Sequence, residues 1–285
     1  MVLIVTDASV RYPSSAFFSH KVITVAPMTV RCGDLEVYDG PTTDLKGMSR
    51  LMQDCPTGPR VEAPSVDDIA RIYKSLQRET NQIISIHSAS GLSSVYQNAL
   101  AASQQFRGRM DIHVIDSESI SLGVGLLVQA AALASERGED FESIVRLVRG
   151  MIPRLYTVMF LEDLFFLERR NLVSRSQAIL GNMLGIVPFL TIEDGHLIPM
   201  EKVRSRHRAV EKMIEFICEF SYVEHLGILQ PQISPTDEGR SIAERLRVIY
   251  PSTPIATVCY GPVISTYVGL SSIGAVVLET SENGT

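Results

Sequence analysis

The sequence predicts an α/β protein of two domains, an N-terminal one with a mostly parallel sheet and flanking helices and a C-terminal one with a mixed sheet. The chain has 285 residues, of which 45% are hydrophobic, which is enough for two cores of ordinary domain size. Short apolar runs alternate with amphipathic stretches in the first half, as in strands connected by helices. In the second half, Asp194-Gly195 between two apolar runs predicts a β-hairpin and therefore antiparallel pairing.

The first domain is expected over residues 1–153. Ser65 and Asp68 form a capping-box pattern before apolar residues at helical spacing, which predicts a helix that begins at Ser65. The polar segment 33–60 contains glycines and prolines and predicts a long irregular excursion. The remaining apolar runs predict strands at 2–5, 23–30, 83–86 and 112–115 and helices at 92–106, 122–134 and 141–150.

The second domain is expected over residues 154–285, because Pro153 interrupts the chain after the helix at 141–150. The hairpin strands are predicted at 187–192 and 196–200. A helix follows, marked by apolar residues at helical spacing from Ala209 to Ile217. The later patterns predict a strand at 226–229, a helix at 242–249 and two final strands.

Composition excludes several classes of protein. The formal net charge is -6 and no basic run is present, so we expect no binding to nucleic acid or to an anionic membrane surface. The longest apolar stretch, 122–134, is shorter than the roughly 20 residues of a spanning helix, so we expect no stable membrane insertion. The N-terminus lacks the positive region of a signal peptide. We expect a cytoplasmic protein with reduced thiols at four widely spaced cysteines, Cys32, Cys55, Cys218 and Cys259.

A serine-rich segment at 85–97 is the strongest candidate binding site. A predicted strand runs there into a predicted helix through five serines and one glycine. Free N–H groups and the positive end of a helix dipole favour an anion at such a position, and serine hydroxyls can donate further hydrogen bonds. A carboxylate or a phosphate would suit it. The alternative is an ordinary N-cap in which Ser93 satisfies only its own helix.

Further polar residues follow two of the predicted strands. Asp7 and Ser9 follow the first strand, and Asp116, Ser117 and Ser121 follow a later one. Because the carboxyl ends of parallel strands meet at one sheet edge, these residues could line a single crevice. Each of them could equally be a turn residue or a helix cap.

Catalytic and metal-binding patterns are weak in this sequence. Gly123 and Gly125 lack the third glycine of a dinucleotide-binding fingerprint. His87 lies beside Ser88 and Ser90, but the nucleophile elbow of the hydrolases is missing, so we expect a structural histidine. Metal-binding side chains do not occur at ligand spacing, so we expect no metal and no cofactor.

One local basic cluster follows the predicted hairpin. It predicts either a solvated surface or a patch that docks an acidic partner or reaches a negative ligand head. Its members are Lys202, Arg204, Arg206, His207 and Arg208.

An ordered set of short motifs resembles the DegV family, which includes the fatty-acid-binding subunits of bacterial fatty acid kinase. The segment 88–97 is similar to the family's Ser-Ser-x-Leu-Ser-Gly-Thr-Tyr-Gln. The other similar motifs are Val5-Thr6-Asp7-Ala8-Ser9, Gly33-Asp34, Tyr38-Asp39-Gly40, Pro64-Ser65, Val114-Ile115-Asp116-Ser117, Ser121-Leu122-Gly123, Ala178-Ile179-Leu180-Gly181, Asp194-Gly195 and Lys202-Val203-Arg204.

The resemblance implies a non-catalytic carrier that buries a long-chain fatty acid between two α/β domains and presents it to a fatty acid kinase subunit. By the same resemblance, Ser93 holds the carboxylate. The residues implied to shape the head-group pocket around it are Ser90, Gly91, Ser94 and Tyr96. The residues implied to dock the kinase subunit are Lys202, Arg204 and Arg206.

Three departures from the family pattern bear on the ligand. Val61 stands where the family has a head-group threonine, Cys259 where it has a histidine, and residues 170–174 replace its Gly-Gly-Arg-Ile-Ser turn. A buried carboxylate that loses two partners is destabilised. We therefore expect either a compensating cation or a neutral lipid head, such as an alcohol or an ester. The candidate cations are Arg204, Arg170 and Arg175.

Two other functions are compatible with the sequence. One is a small-molecule enzyme that uses the same crevice, either a hydrolase with Ser93 as nucleophile or a phosphotransferase similar to the dihydroxyacetone kinase architecture. The other is an interaction module in which the cavity is only structural.

Overall fold

The computed structural model describes residues 1–40, 45–55, 58–161, 163–169 and 171–281. Strands and helices alternate through most of the first half, as the apolar runs predict. In chain order they are β1 (Leu3–Asp7), β2 (Ile23–Ala26), β3 (Thr29–Cys32), β4 (Leu35–Tyr38), α1 (Leu45–Gln53), β5 (Arg60–Glu62), α2 (Val66–Leu76), β6 (Gln82–His87), α3 (Val95–Gln104), β7 (Asp111–Asp116), α4 (Leu122–Glu136) and α5 (Phe141–Met151).

The second half contains longer strands and begins after a short 3-10 turn at Ile152–Arg154. Its elements are β8 (Leu155–Phe160), α6 (Phe165–Glu168), α7 (Arg175–Met183), β9 (Val187–Glu193), β10 (His196–Val203), α8 (Arg206–Cys218), β11 (Val223–Gln230), α9 (Asp237–Ile249), β12 (Ile255–Cys259), α10 (Gly261–Val268) and β13 (Ile273–Glu279).

Four strands of the first half form a parallel sheet in the order β2-β1-β6-β7. Every residue of β1 is buried, as expected for a strand that is covered on both faces. Because the strands are parallel, the carboxyl ends of β1, β6 and β7 meet at one edge of the sheet. That edge carries the serine-rich segment.

Six strands of the second half form a mixed sheet in the order β10-β9-β8-β13-β11-β12. Only β11 and β12 pair in parallel among the described strands of this sheet. The β9–β10 hairpin turns at Asp194 and Gly195, whose φ angles are both positive, as a tight hairpin turn requires. The predicted hairpin is confirmed.

Helix α4 lies between the two sheets, where it contacts β1 and β6 on one side and β8 and β13 on the other. It is buried over most of its length, as expected for a helix that is apolar on all sides. Gly125 permits close packing, because a Cβ atom there would lie 1.7 Å from the carbonyl oxygen of Arg11. The main hydrophobic core therefore includes residues from both halves of the chain.

The prediction of an irregular excursion at 33–60 was wrong. Strands β3, β4 and β5 form a small antiparallel sheet, and α1 lies between β4 and β5 in sequence. Cys32 and Cys55 form a disulfide with their Cα atoms 5.9 Å apart, so the expectation of reduced thiols is wrong for this pair. Cysteines that are distant in sequence meet because the chain folds back through α1. Cys218 and Cys259 are free.

Two further element predictions differ from the structure. The apolar run 23–30 is divided at Pro27, which has no N–H for a sheet ladder, so β2 joins the parallel sheet and β3 the small one. Helix α10 was not predicted, because all eight of its residues are buried and its sequence therefore shows no amphipathic period.

The predicted fold class is confirmed, with a parallel sheet in the N-terminal part and a mixed sheet in the C-terminal part. Strand pairing does not cross residue 153 within the described ranges, and the division into 1–153 and 154–285 stays a prediction. None of the helices in the described part of the chain has both the length and the apolar character needed to cross a membrane.

Candidate functional site

The serine-rich segment forms a loop between β6 and α3. The loop folds back on itself, because the backbone N–H groups of Leu92 and Ser93 both donate to the carbonyl oxygen of Ala89. These turn bonds delay the helix, which begins at Val95 instead of the predicted residue 92. Ser94 is the N-cap residue, and the Ser93 hydroxyl accepts a hydrogen bond from the Val95 N–H at 3.3 Å. The Ser93 hydroxyl therefore lies at the positive end of the α3 dipole.

Asp7, the last residue of β1, binds the first residue of this loop through hydrogen bonds. Its carboxylate accepts hydrogen bonds from the Ser88 N–H at 2.8 Å and from the Ser88 hydroxyl at 2.9 Å, and it also accepts from the Ser9 hydroxyl at 2.5 Å. Burial acts to raise the pKa of Asp7, but the neighbouring His87 ring and the bonds from Ser9 and Ser88 outweigh it and lower the pKa. Asp7 and Ser9 are fully buried, so they support the loop from inside.

His87 lies in a buried chain of polar side chains. The Tyr73 hydroxyl donates to the Ser85 hydroxyl at 2.8 Å, and that hydroxyl lies 2.7 Å from Nε2 of His87. Nδ1 of His87 lies 3.5 Å from a carboxylate oxygen of Asp7, which is longer than a good hydrogen bond. The order Ser85, His87, Asp7 is that of a hydrolase triad, but all three side chains are fully buried. Substrate cannot reach them, which agrees with the predicted structural role of His87.

Of the residues predicted to line a crevice at the end of β7, Ser117 and Ser121 are buried and Asp116 is half-buried. The Ser117 hydroxyl accepts from the Ser119 N–H, and the Ser121 carbonyl accepts from the Arg11 N–H at 3.1 Å. Asp116 accepts a hydrogen bond from the N–H of Ser90 at 3.2 Å. Asp116 thus holds the serine-rich loop, and none of Asp116, Ser117 and Ser121 is a lining residue of the cavity beside it.

Gly91 brings the loop into contact with the hairpin of the second sheet. A Cβ atom on Gly91 would lie 2.6 Å from the carbonyl oxygen of Gly195 and 2.9 Å from the ring of His196. Only a residue without a side chain allows this approach. The candidate loop is therefore held by elements from both halves of the chain.

A cavity of about 450 Å³ opens beside the loop, within the roughly 300 to 1,000 Å³ of small-molecule sites. Of the predicted site residues, the structure brings Ser93, Ser94 and Val61 to its wall. Ser90, Gly91 and Tyr96 belong to the loop or to α3 but are not among the lining residues. The lining residues are Gly58, Pro59, Arg60, Val61, Ala63, Leu92, Ser93, Ser94, Arg169, Thr266 and Tyr267.

The described wall of the cavity carries positive charge, whereas the chain as a whole carries a net negative charge. Two arginines, Arg60 and Arg169, line the cavity, and no carboxylate does so among the residues that the structure describes. The chain as a whole carries a formal charge of -6. Reasoning from the sequence missed Arg169; its neighbour Arg170 was the predicted candidate and lies outside the described residues. Arg175 is exposed on α7 and does not line the cavity.

Cys259 does not reach the cavity wall. Its thiol donates to the carbonyl oxygen of Pro231 at 3.4 Å, and burial raises the pKa of this thiol. Its own carbonyl oxygen accepts a hydrogen bond from Nε of Arg11 at 2.8 Å. Arg11 also forms a buried ion pair with Asp39, whose second carboxylate oxygen accepts from the N–H of Val263. Cys259 is thus part of a junction that joins the segments following β1 and β4 to the end of β12 and to α10.

The residues predicted to dock a partner fall into two groups. Lys202 is exposed on β10 and Arg204 is exposed directly after that strand, and neither lines the cavity. Arg206, on α8, contacts two other elements. It forms an ion pair with Glu238 of α9 at 2.6 Å, and its guanidinium lies 5.2 Å from the ring centroid of Phe160 of β8.

A larger surface hollow of about 640 Å³ lies beside β7. It is lined by Gln82, Arg107, Gly108, Met110, Asp111, Ile112, His113, Asp140, Phe141 and Glu142. None of the predicted binding residues is among them. The smaller cavity is the better candidate site, because it combines the helix N-terminus, hydroxyl groups and unopposed positive charge.

Comparison with known proteins agrees with the fold. A DegV domain-containing protein from Caldanaerobacter subterraneus subsp. tengcongensis is 30% identical over 216 residues, which cover 76% of each chain. The fatty acid binding DegV family protein of Streptococcus agalactiae superposes with a TM-score of 0.85 at 22% identity, over 99% of both chains. The fatty acid kinase B3 protein of Streptococcus pneumoniae, solved with linoleic acid, gives a TM-score of 0.84 at 20% identity, over 98% of this chain and 100% of that one.

The family model of the uncharacterised DegV proteins matches residues 1–280. The chain belongs to the DegV family, as the ordered motifs in its sequence predict.

Proposed function

We propose that this protein is a lipid carrier that buries a long-chain fatty acid between its two domains, with the carboxylate at Ser93 and Ser94. One observation carries the proposal: the cavity wall combines two serines at the N-terminus of α3 with two arginines, and no carboxylate lines its described part. Similar folds that bind fatty acids, in Streptococcus agalactiae and Streptococcus pneumoniae, support the same ligand class.

The chemistry of the wall fits a carboxylate. Hydroxyls donate hydrogen bonds to an anion, and the helix dipole contributes roughly 0.3 to 1 kcal/mol for a negative charge at its N-terminus. Val61, Ala63 and Leu92 supply apolar surface beside these donors. An acyl chain that leaves water against such surface gains about 0.8 kcal/mol for each buried methylene.

A kinase subunit is the proposed partner, because the fatty acid kinase B3 protein shares the fold. Lys202 and Arg204 are exposed and would meet an acidic surface of that subunit. Arg206 is less suited to docking, since its guanidinium already pairs with Glu238. A kinase takes its phosphoryl group from a cytoplasmic nucleotide, so we place the carrier in the cytoplasm.

Mass spectrometry of the purified protein tests the ligand. Native spectra give the mass of the loaded chain, and denaturing spectra release the ligand; we expect one acyl-chain mass per protein chain. Delipidated protein should then take up oleate at one equivalent. Ser93→Ala should weaken uptake, and Ser75→Ala, on the exposed surface of α2, should leave it unchanged. A wild-type protein that neither releases nor takes up a fatty acid would exclude the carrier function.

A further inference from the structure

We infer that Arg169 is the cation that selects the ligand's head group, so that this protein binds an anionic lipid head in preference to an alcohol or an ester. The inference rests on the proposed function and specifies its ligand class. Val61 stands where the family pattern has a hydroxyl donor for the head group. Arg169 would compensate for the loss of that donor.

Two contacts set the position of Arg169. Its guanidinium carbon lies 5.5 Å from the ring centroid of Phe166, within the range of a cation–π contact. Its side chain also passes the backbone of Gly58, where a Cβ atom would lie 3.0 Å from Cδ and 3.1 Å from Nε of Arg169. Gly58 has a φ of +77°, a conformation that glycine adopts without cost. The guanidinium is thus held at the cavity wall by a ring on one side and a glycine on the other.

The guanidinium keeps its hydrogen-bond donors for a ligand. Across the described ranges of the chain, no carboxylate forms an ion pair with Arg169. Glu62, which follows the lining residue Val61, pairs with Arg31 at 3.4 Å instead. An arginine offers donors in a rigid fork that matches a carboxylate or a phosphate.

The same arrangement disfavours a neutral head group. Placing an alcohol or an ester against the guanidinium would displace water from Arg169 without supplying a counter-charge. The serine hydroxyls accept and donate, so they bind neutral and anionic heads alike. The positive charge of Arg169, with that of Arg60, therefore raises the affinity for an anionic head group above that for a neutral one.

The other candidate cations are less suitable on geometry. Arg169, Arg175 and Arg204 are all exposed residues, but of these three only Arg169 lines the described cavity wall. Arg60 lines the wall and adds positive charge, but within the described residues its guanidinium forms no ion pair and no cation–π contact. Arg169 is the arginine of this wall that the described structure holds in place.

A displacement assay tests the inference on full-length delipidated protein. The probe is the fluorescent fatty acid cis-parinaric acid, displaced by oleic acid and, separately, by oleyl alcohol. We expect the wild type to bind the acid about tenfold more tightly than the alcohol, and Arg169→Gln to lose about tenfold in affinity for the acid while its affinity for the alcohol is unchanged. Raising the salt concentration should weaken acid binding by the wild type more than by Arg169→Gln.

Controls separate charge from folding. Arg169→Lys keeps the charge and should retain part of the selectivity, and Arg175→Gln, a nearby exposed change on α7, should match the wild type. Thermal unfolding checks that each variant folds. Equal binding of acid and alcohol by the wild type, or an unchanged ratio in Arg169→Gln, would overturn the inference and leave the carrier function intact. A wild type that binds neither lipid would instead overturn the proposed function.

Discussion

The phenolic hydroxyl of Tyr267 donates a hydrogen bond to the backbone carbonyl oxygen of Leu92. Tyr267 lies on α10, and Leu92 precedes Ser93 in the loop at the cavity. Both residues line the cavity, so this bond holds the serine loop to a helix that is 175 residues away in sequence. The position of the Ser93 hydroxyl therefore depends on the C-terminal part of the fold.

Tyr267→Phe should weaken ligand binding several-fold and lower the free energy of unfolding by about 1 kcal/mol, because the Leu92 carbonyl loses its donor. Urea unfolding and titration with oleate measure the two effects. Tyr260→Phe is the matched control: its hydroxyl donates to the carbonyls of Gly269 and Ser272, away from the loop. It should lose similar stability and keep its affinity. Equal affinity in both variants would show that the loop needs no support from α10.

Gly91→Ala should destabilise the protein by about 1 to 3 kcal/mol, since the new methyl group would meet the backbone of Gly195 at 2.6 Å. Thermal unfolding monitored by circular dichroism measures the change. Gly150→Ala serves as control, because a Cβ atom on that residue of α5 meets nothing within 4 Å and alanine favours a helix. If Gly91→Ala unfolds like the wild type, the contact between loop and hairpin is not tight in solution.

Asp7 should make the protein sensitive to acid. Its folded pKa lies below the ordinary value of 3.8, so its contribution to stability is present above that value and is lost as the pH falls through the lowered folded pKa. Asp7→Asn should cost about 3 kcal/mol at pH 7, because the bonds from Ser9 and Ser88 are to a buried charge. The difference between wild type and Asp7→Asn should shrink below about pH 4.

Unfolding in guanidinium at a series of pH values measures this difference. Asp34→Asn, in an exposed turn, controls for the loss of a surface charge. A difference between wild type and Asp7→Asn that stays constant from pH 7 to pH 3 would contradict the assigned direction of the pKa.

The disulfide between Cys32 and Cys55 should stabilise the protein by about 3 kcal/mol, because it closes a loop across a sequence separation of 23. The double variant Cys32→Ser with Cys55→Ser should unfold at lower urea concentration than the oxidised wild type. Oleate affinity should fall as well, since the cavity residues from Gly58 to Val61 begin only three positions after Cys55. Cys218→Ser, at an exposed free cysteine, should change neither property. Identical unfolding of the double variant and the wild type would rule out this contribution.

Local patterns in the sequence predicted a large part of the fold and of the loop. The helix that follows Ser65 begins with the predicted capping box, and the hairpin at Asp194-Gly195 forms where the turn residues indicate. The serine loop also lies at the predicted strand end. In each case a few neighbouring residues determine the structure, so their pattern is sufficient.

Features that depend on distant contacts were not predictable in this way. Arg169 reaches the cavity only because α6 packs near Gly58, which lies more than a hundred residues earlier. The Cys32–Cys55 disulfide depends on how the chain folds back through α1 between β3 and β5, which the spacing of the two cysteines does not reveal. Cys259, which the resemblance places at the head group, is the last residue of β12, and its carbonyl oxygen accepts a hydrogen bond from Arg11.

The junction around Arg11 has a consequence for how the protein is made. The Arg11 guanidinium donates to the carbonyl of Cys259, and its partner Asp39 accepts from the N–H of Val263. Domains generally fold from the N-terminus while the ribosome is still at work. The ion pair between Arg11 and Asp39 therefore lacks these two hydrogen-bond partners until more than 260 residues have been synthesised. Nascent chains released before that point should lack the lipid site even where their first sheet has formed.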